Sequence, residues 1–246
     1  MLRSTVALLA LTLQLVQAPA PGRKPAAAPS FATTIDGIVA DAMRDGRTPG
    51  VSIAVARGGR LVYAKGHGLA NVELNVPATP DTVFRIGSIT KQFTAAAIMQ
   101  LVEDGKMSLD DPIEKFLPDF PVRGRHITIR HLLNHTSGIK SYTSLGLKFL
   151  AVTRQDLSHE DLIALFKDEP DDFQPGEKWL YDNSGYYLLG VILEKVTGYK
   201  YGDYLQRQFF TPLGLSSTIY CDVEPIVKKR ARRRLSASYA LTGKVA

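Results

Sequence analysis

Val83-Phe-Arg-Ile-Gly-Ser-Ile-Thr-Lys-Gln-Phe-Thr94 is the stretch from which the rest of the chain is read. It follows a loop rich in Pro and Thr (77–82). It opens an apolar helix pattern running from Ser88 to Asp104 and closed by Gly105. Within it Ser88 and Lys91 stand three positions apart, a spacing that at the start of a helix puts hydroxyl and amine on one face and within reach of each other. A serine alone is a poor nucleophile at neutral pH, and a buried lysine amine that has lost its proton can take the proton of the serine. The amides of a helix N-terminus also favour an oxyanion forming there. The spacing by itself is weak, since roughly one such pair is expected by chance in a chain of this composition. An N-cap serine beside a solvated lysine would look the same. Ser137-Gly-Ile-Lys140 repeats the spacing, but Gly138 follows the end of an apolar helix, where the chain turns and parts the two side chains.

Three further segments supply context. Tyr181-Asp-Asn-Ser-Gly-Tyr-Tyr-Leu-Leu-Gly190 begins a helix, Thr128-Ile-Arg-His-Leu-Leu-Asn-His-Thr-Ser-Gly-Ile139 is a second helical stretch, and Leu109-Asp-Asp-Pro112 precedes it. Together with 83–94 these closely resemble the signatures of the serine β-lactamase and penicillin-binding-protein family, in particular its class C enzymes and related esterases and D-alanyl-peptidases. The resemblance covers about residues 35 to 225. It implies an α/β (α+β) fold of the β-lactamase/DD-peptidase kind, a helical subdomain on an antiparallel sheet, and an acyl-enzyme mechanism without cofactor or metal. It further implies that Ser88 is the nucleophile, Lys91 its proton partner and Tyr181 the general base, while Asn183 binds the substrate amide and Lys91. The chemistry of the residues agrees: a phenol that ordinarily titrates near 10 serves as a base only beside a cation. His126, His131 and His135 show no carboxylate or cysteine spacing of a metal site.

Working outward, Ile35, Ile38, Val39, Ala42 and Met43 recur at helical spacing up to Gly46. Val51, Ile53 and Val55 alternate, Gly58-Gly59 supplies a turn tolerant of positive φ, and residues 61–68 return, which reads as a β-hairpin. Further helices are expected over 160–166, 184–197 and 201–210, with Trp179 to Asp182 extended. Relatives of this kind carry a Lys-Thr-Gly or His-x-Gly on a strand far downstream. Leu241-Thr-Gly-Lys244 offers Thr242 and Gly243, but no strand pattern precedes it, and nothing after Leu215 reads as a set of strands. The expectation is therefore that the C-terminal strands are missing, that the hairpin belongs to an incomplete sheet, and that the likeness is lost from Arg233.

The 246 residues carry a formal charge of +6, and Lys228, Lys229, Arg230, Arg232, Arg233 and Arg234 equal that excess; the remainder is close to neutral. The basic run reads as a solvated tail over 226–246 rather than a nucleic-acid or lipid patch. Arg3 followed by an apolar stretch from Val6 to Val16 and small residues reads as a signal peptide over 1–20, too short for a permanent membrane span. An Ala/Pro-rich linker over 21–30 and the domain over 31–225 follow, and the product is expected to be exported, periplasmic or secreted. The single Cys221 has no intramolecular disulfide partner. The partner expected is a small-molecule or peptide substrate: a β-lactam, a D-alanyl peptide or a small ester. The competing expectation is a catalytically inactive, truncated family member that acts as a binding module or has no function.

Overall fold

The computed structural model describes residues 30–220 and the backbone of 243–245, so the readings of a signal peptide, of most of the linker, of Cys221 and of nearly all the basic tail lie outside the described residues. The chain divides into two units, Met1–Arg44 and Asp45–Ala246. The described part of the first is α1, Phe31–Met43. Ser30 caps it by accepting the Thr33 amide on its hydroxyl. Val39 is buried, whereas Ile38, which the periodicity assigned to the same stripe, is exposed.

The second unit begins with an antiparallel hairpin of β1, Gly50–Arg57, and β2, Arg60–Asn71. They are in register from Gly50 opposite Gly68 to Arg57 opposite Arg60, with a bulge at Val55/Ala56. The turn is Gly58-Gly59, both at positive φ, as the sequence requires. β2 pairs on its other edge with β3, Val76–Pro77, giving a three-stranded sheet of order β1-β2-β3. A second small antiparallel sheet has the order β4-β6-β5, from Phe84–Arg85, Gly243–Val245 and Ile219–Tyr220. This corrects the expectation that nothing after Leu215 forms strands. Segments of two or three residues are too short to show alternation, and the pairing of β4 with β6 across more than a hundred residues has no local signal.

The helices build the core. A 3₁₀ turn, Gly87–Ile89, leads into α2, Thr90–Glu103. A further 3₁₀ turn at Ile113–Lys115 follows the Asp-Asp-Pro, and α3, Ile129–Leu133, is capped reciprocally by Thr128 and His131. Short α4, Leu147–Leu150, and α5, His159–Ala164, precede α6, Asn183–Thr197, which ends on left-handed Gly198. α7, Tyr201–Leu205, continues as a π-helical turn over Gln206–Phe210 rather than as the regular helix its spacing suggests.

α6 is the centre of the packing: every residue from Ser184 to Leu193 is buried, so it is covered on all sides rather than along one stripe. Ile98 and Leu101 of α2, Ile129 and Leu132 of α3, and Phe166 lie in the same cluster. α2 is tied to α7 by two polar contacts, Thr94 Oγ1 to Tyr201 Oη at 2.7 Å and Tyr204 Oη donating to Gln100 Oε1 at 3.0 Å. Among the described residues, no helix is long and apolar enough to cross a membrane. Because Leu188 is fully buried and Leu147 is 84 % exposed, denaturant unfolding of Leu188→Ala is expected to show a loss of about 2–5 kcal/mol. Leu147→Ala is expected to shift stability by only about 0.5 kcal/mol.

Candidate active site

Two chain segments meet at the site, and each is shaped by a backbone constraint. Gly87 sits at φ 51, a conformation that side chains other than glycine rarely adopt. It turns β4 into the 3₁₀ start of α2, leaving Ser88 exposed at the head of the helix and Lys91 half-buried one turn on. Opposite it, Asp182 is extended (φ −130, ψ 124) and forms the N-cap of α6. In extended chain alternate side chains point to opposite sides. Tyr181 and Asn183 therefore face the head of α2, while Asp182 turns into the core, where it is 4 % exposed.

The four residues singled out from the sequence come together. Tyr181 Oη donates to Ser88 Oγ at 2.6 Å, and Lys91 Nζ donates to Asn183 Oδ1 at 2.7 Å. The Lys91 ammonium lies 4.7 Å from the centroid of the Tyr181 ring and 5.2 Å from that of Tyr186, within the range of a cation–π contact. Asn183 is fixed in turn, its Nδ2 donating to Thr143 Oγ1 at 2.9 Å and its backbone amide to Ser141 Oγ at 3.1 Å. With the amide nitrogen held by Thr143, the amide oxygen is left to face Lys91.

The second serine–lysine pair does not assemble. Gly138 lies at φ 75, and a Cβ there would meet the Phe173 carbonyl oxygen at 1.9 Å. The chain turns between the two side chains, and Ser137 Oγ donates to Asp182 Oδ2 at 3.4 Å while Lys140 pairs with Asp172. Two of the three histidines, His131 and His135, have hydrogen-bonding places in the scaffold. His131 closes the α3 capping box, and His135 Nδ1 accepts the Asp182 amide at 3.1 Å. Burial, and then neighbouring His126, hold the His131 pKa below the ordinary histidine value.

Sequence reading missed the supports of this arrangement. Asp182 carried a usable signal, that of an N-cap residue directly before an apolar helical run. Ser141 and Thr143 carried none, because hydroxyls in a turn are common and their partner lies forty positions away. Asp182 accepts the amides of Ser184 at 2.7 Å and Gly185 at 2.9 Å. Burial nevertheless pushes its carboxyl up to about 7, against the opposing pull of those amides, of the Ser137 hydroxyl and of the Lys91 charge.

A model of the family described as Beta-lactamase matches residues 35–241, which carries the likeness past Arg232, where the sequence reading had ended it. Protein flp of Staphylococcus aureus (strain N315) is 34 % identical over 191 residues, covering 76 % of this chain and 38 % of that protein. Among solved structures, the octameric penicillin-binding protein homologue from Pyrococcus abyssi superposes with a TM-score of 0.73 at 35 % identity, over 87 % of this chain and 53 % of that one. The D-amino acid amidase from Ochrobactrum anthropi SV3 gives 0.72 at 32 % identity, over 80 % and 55 %. The fold is the mixed α/β one shared by β-lactamases and penicillin-binding proteins. The chain belongs to the Beta-lactamase family, and it spans roughly 38 to 55 % of the length of these three relatives.

The raised carboxyl of Asp182 sets a pH dependence. A group whose folded value lies above its unfolded one binds a proton on folding, so its contribution is fully present below the ordinary 3.8 and is lost as pH rises through about 7. The unfolding free energy of wild type relative to Asp182→Asn, which removes the titration but keeps a good capping residue, is expected to fall between those pH values. Urea titrations of the two proteins across that window measure it, and a constant difference would show that Asp182 does not titrate there.

Proposed function

We propose that this chain is a serine hydrolase that forms an acyl-enzyme at Ser88 on a β-lactam, a D-alanyl peptide or a small ester. The observation that carries the reading is the 2.6 Å contact of Tyr181 Oη with Ser88 Oγ beside the Lys91 ammonium. In acylation, the Tyr181–Lys91 pair acts after giving one proton to solvent, as phenolate beside ammonium or as phenol beside neutral amine; Ser88 Oγ then bonds to the carbonyl carbon while its proton passes to that pair. The pair returns a proton to the leaving nitrogen or oxygen as that bond breaks. Deacylation repeats the sequence with water as the nucleophile, and the acyl group leaves as the carboxylic acid. Asn183, held between Lys91 and Thr143, is the proposed hydrogen-bonding partner of the substrate amide. The reading draws support from the Beta-lactamase family match and from relatives named as a penicillin-binding protein homologue and a D-amino acid amidase. Export to the periplasm or medium is proposed with it, on the apolar run after Arg3.

Incubation with a fluorophosphonate probe or a penicillin, followed by peptide mapping, tests this. The adduct is expected on Ser88 and absent in Ser88→Ala. Tyr181→Phe is expected to slow labelling by about 10²–10⁴-fold, the range for loss of a general base. Folded protein that takes no label at Ser88 would overturn the reading and favour a family member that binds without turnover.

A further inference from the structure

His135 is one of three non-glycine residues with positive φ among the described residues, at 62°. Histidine is among the side chains that visit this region, yet the conformation costs energy and persists only where its surroundings fix it. Those surroundings are the segment that carries Tyr181. The His135 carbonyl accepts the Leu180 amide at 3.0 Å, and its Nδ1 accepts the Asp182 amide at 3.1 Å, so one residue holds the chain immediately before and after Tyr181. Its ring lies 4.7 Å from the Tyr181 ring and 5.0 Å from that of Tyr186, with Trp179 meeting it edge-on at 6.1 Å. A ring nitrogen that accepts an N–H carries no proton, so the imidazole is neutral with its hydrogen on Nε2.

We propose that His135 is a positioning residue for the reaction: its neutral ring and its carbonyl clamp residues 180–182 so that Tyr181 Oη is held on Ser88 Oγ, and protonation of the ring opens the clamp. The proposal rests on the acyl-enzyme reading of Ser88. The groups that face the imidazole are Lys91 from α2, Tyr181 and the Asp182 amide from the extended segment, and Tyr186 from α6. Burial first, and the Lys91 charge second, hold the His135 pKa below the ordinary 6.5. The clamp is thus complete above that value and is lost as pH falls through the lowered one. Once protonated, Nδ1 turns from an acceptor into a donor facing the Asp182 N–H, and the ring becomes a second cation beside Lys91.

Two variants separate this role from packing. His135→Asn keeps an acceptor near the place of Nδ1 and tolerates positive φ, but it has no ring and no titration. His135→Leu fills the space and accepts nothing. Fluorophosphonate labelling of Ser88 across pH 4.5–8 should show, below the Asp182 titration at about 7 that both proteins share, a further acid limb in wild type that vanishes in His135→Asn. At neutral pH, Asn is expected to slow labelling by about threefold and Leu by more than about tenfold. Amide hydrogen exchange at Asp182, referred to Leu189 in the middle of α6, should be faster in Leu than in Asn. In wild type it should accelerate as His135 titrates in its imidazole nitrogen resonances. A further acid limb that persists unchanged in His135→Asn, or Asp182 exchange that is indifferent to both the Leu substitution and the titration, would overturn the proposal. If wild type takes no label at any pH, the acyl-enzyme reading fails, and the exchange measurement decides the clamp.

Discussion

The buried carboxylate of Asp182 at the head of α6 is the contact on which the site rests. It accepts the Ser184 and Gly185 amides, two of the four that a helix N-terminus leaves without internal partners. In doing so it fixes the angle at which extended chain enters the most deeply buried helix of the fold. Because Asp182 points inward, its neighbours must point outward together, and this delivers Tyr181 to Ser88 and Asn183 to Lys91. The arrangement is expensive, since a carboxylate has been taken out of water, and the upward displacement of its pKa expresses that cost. Ser137 and the two amides offset it only in part.

The opposing half of the site is held differently. Gly87 makes the turn that presents Ser88, and α2 is then locked by Ile98 and Leu101 in the apolar cluster and by its polar contacts with Tyr201 and Tyr204. Helices thus carry both halves, and Ser88, Lys91 and Asn183 lie at the heads of those helices, with Tyr181 just before one of them. The loop between α3 and α4 completes the frame through Ser141 and Thr143, whose hydroxyls hold Asn183, while Ser184 Oγ donates to the Lys140 carbonyl and accepts the Tyr142 amide. Loss of any one of these hydroxyls would leave a partner in the interior unsatisfied.

Much of this was legible in the sequence, and the reasons are physical. Ser88 and Lys91 were readable because helical spacing is a local property, and the hairpin was readable because Gly58-Gly59 and alternating apolar residues act over a few positions. The failure of Ser137 and Lys140 as a pair was also readable, from the glycine between them. What could not be read was contact between distant positions. The β4-β6-β5 sheet joins strands of two or three residues, Thr143 meets Asn183 across forty positions, and the π-helical turn at Gln206–Phe210 departs from a spacing that looked regular. His135 was read only as one of three histidines without the spacing of a metal site, since nothing local distinguishes an imidazole that brackets Tyr181 from one that closes a capping box.

The central claim is that the Asp182 cap positions the chemistry at Ser88, and the most direct measurement is the rate of Ser88 acylation by a fluorophosphonate in Asp182→Ala, at a temperature where circular dichroism shows the variant folded. A displacement of Tyr181 of about 1 Å should cost on the order of a hundredfold in that rate. A folded Asp182→Ala that is acylated within about twofold of wild type would contradict the account.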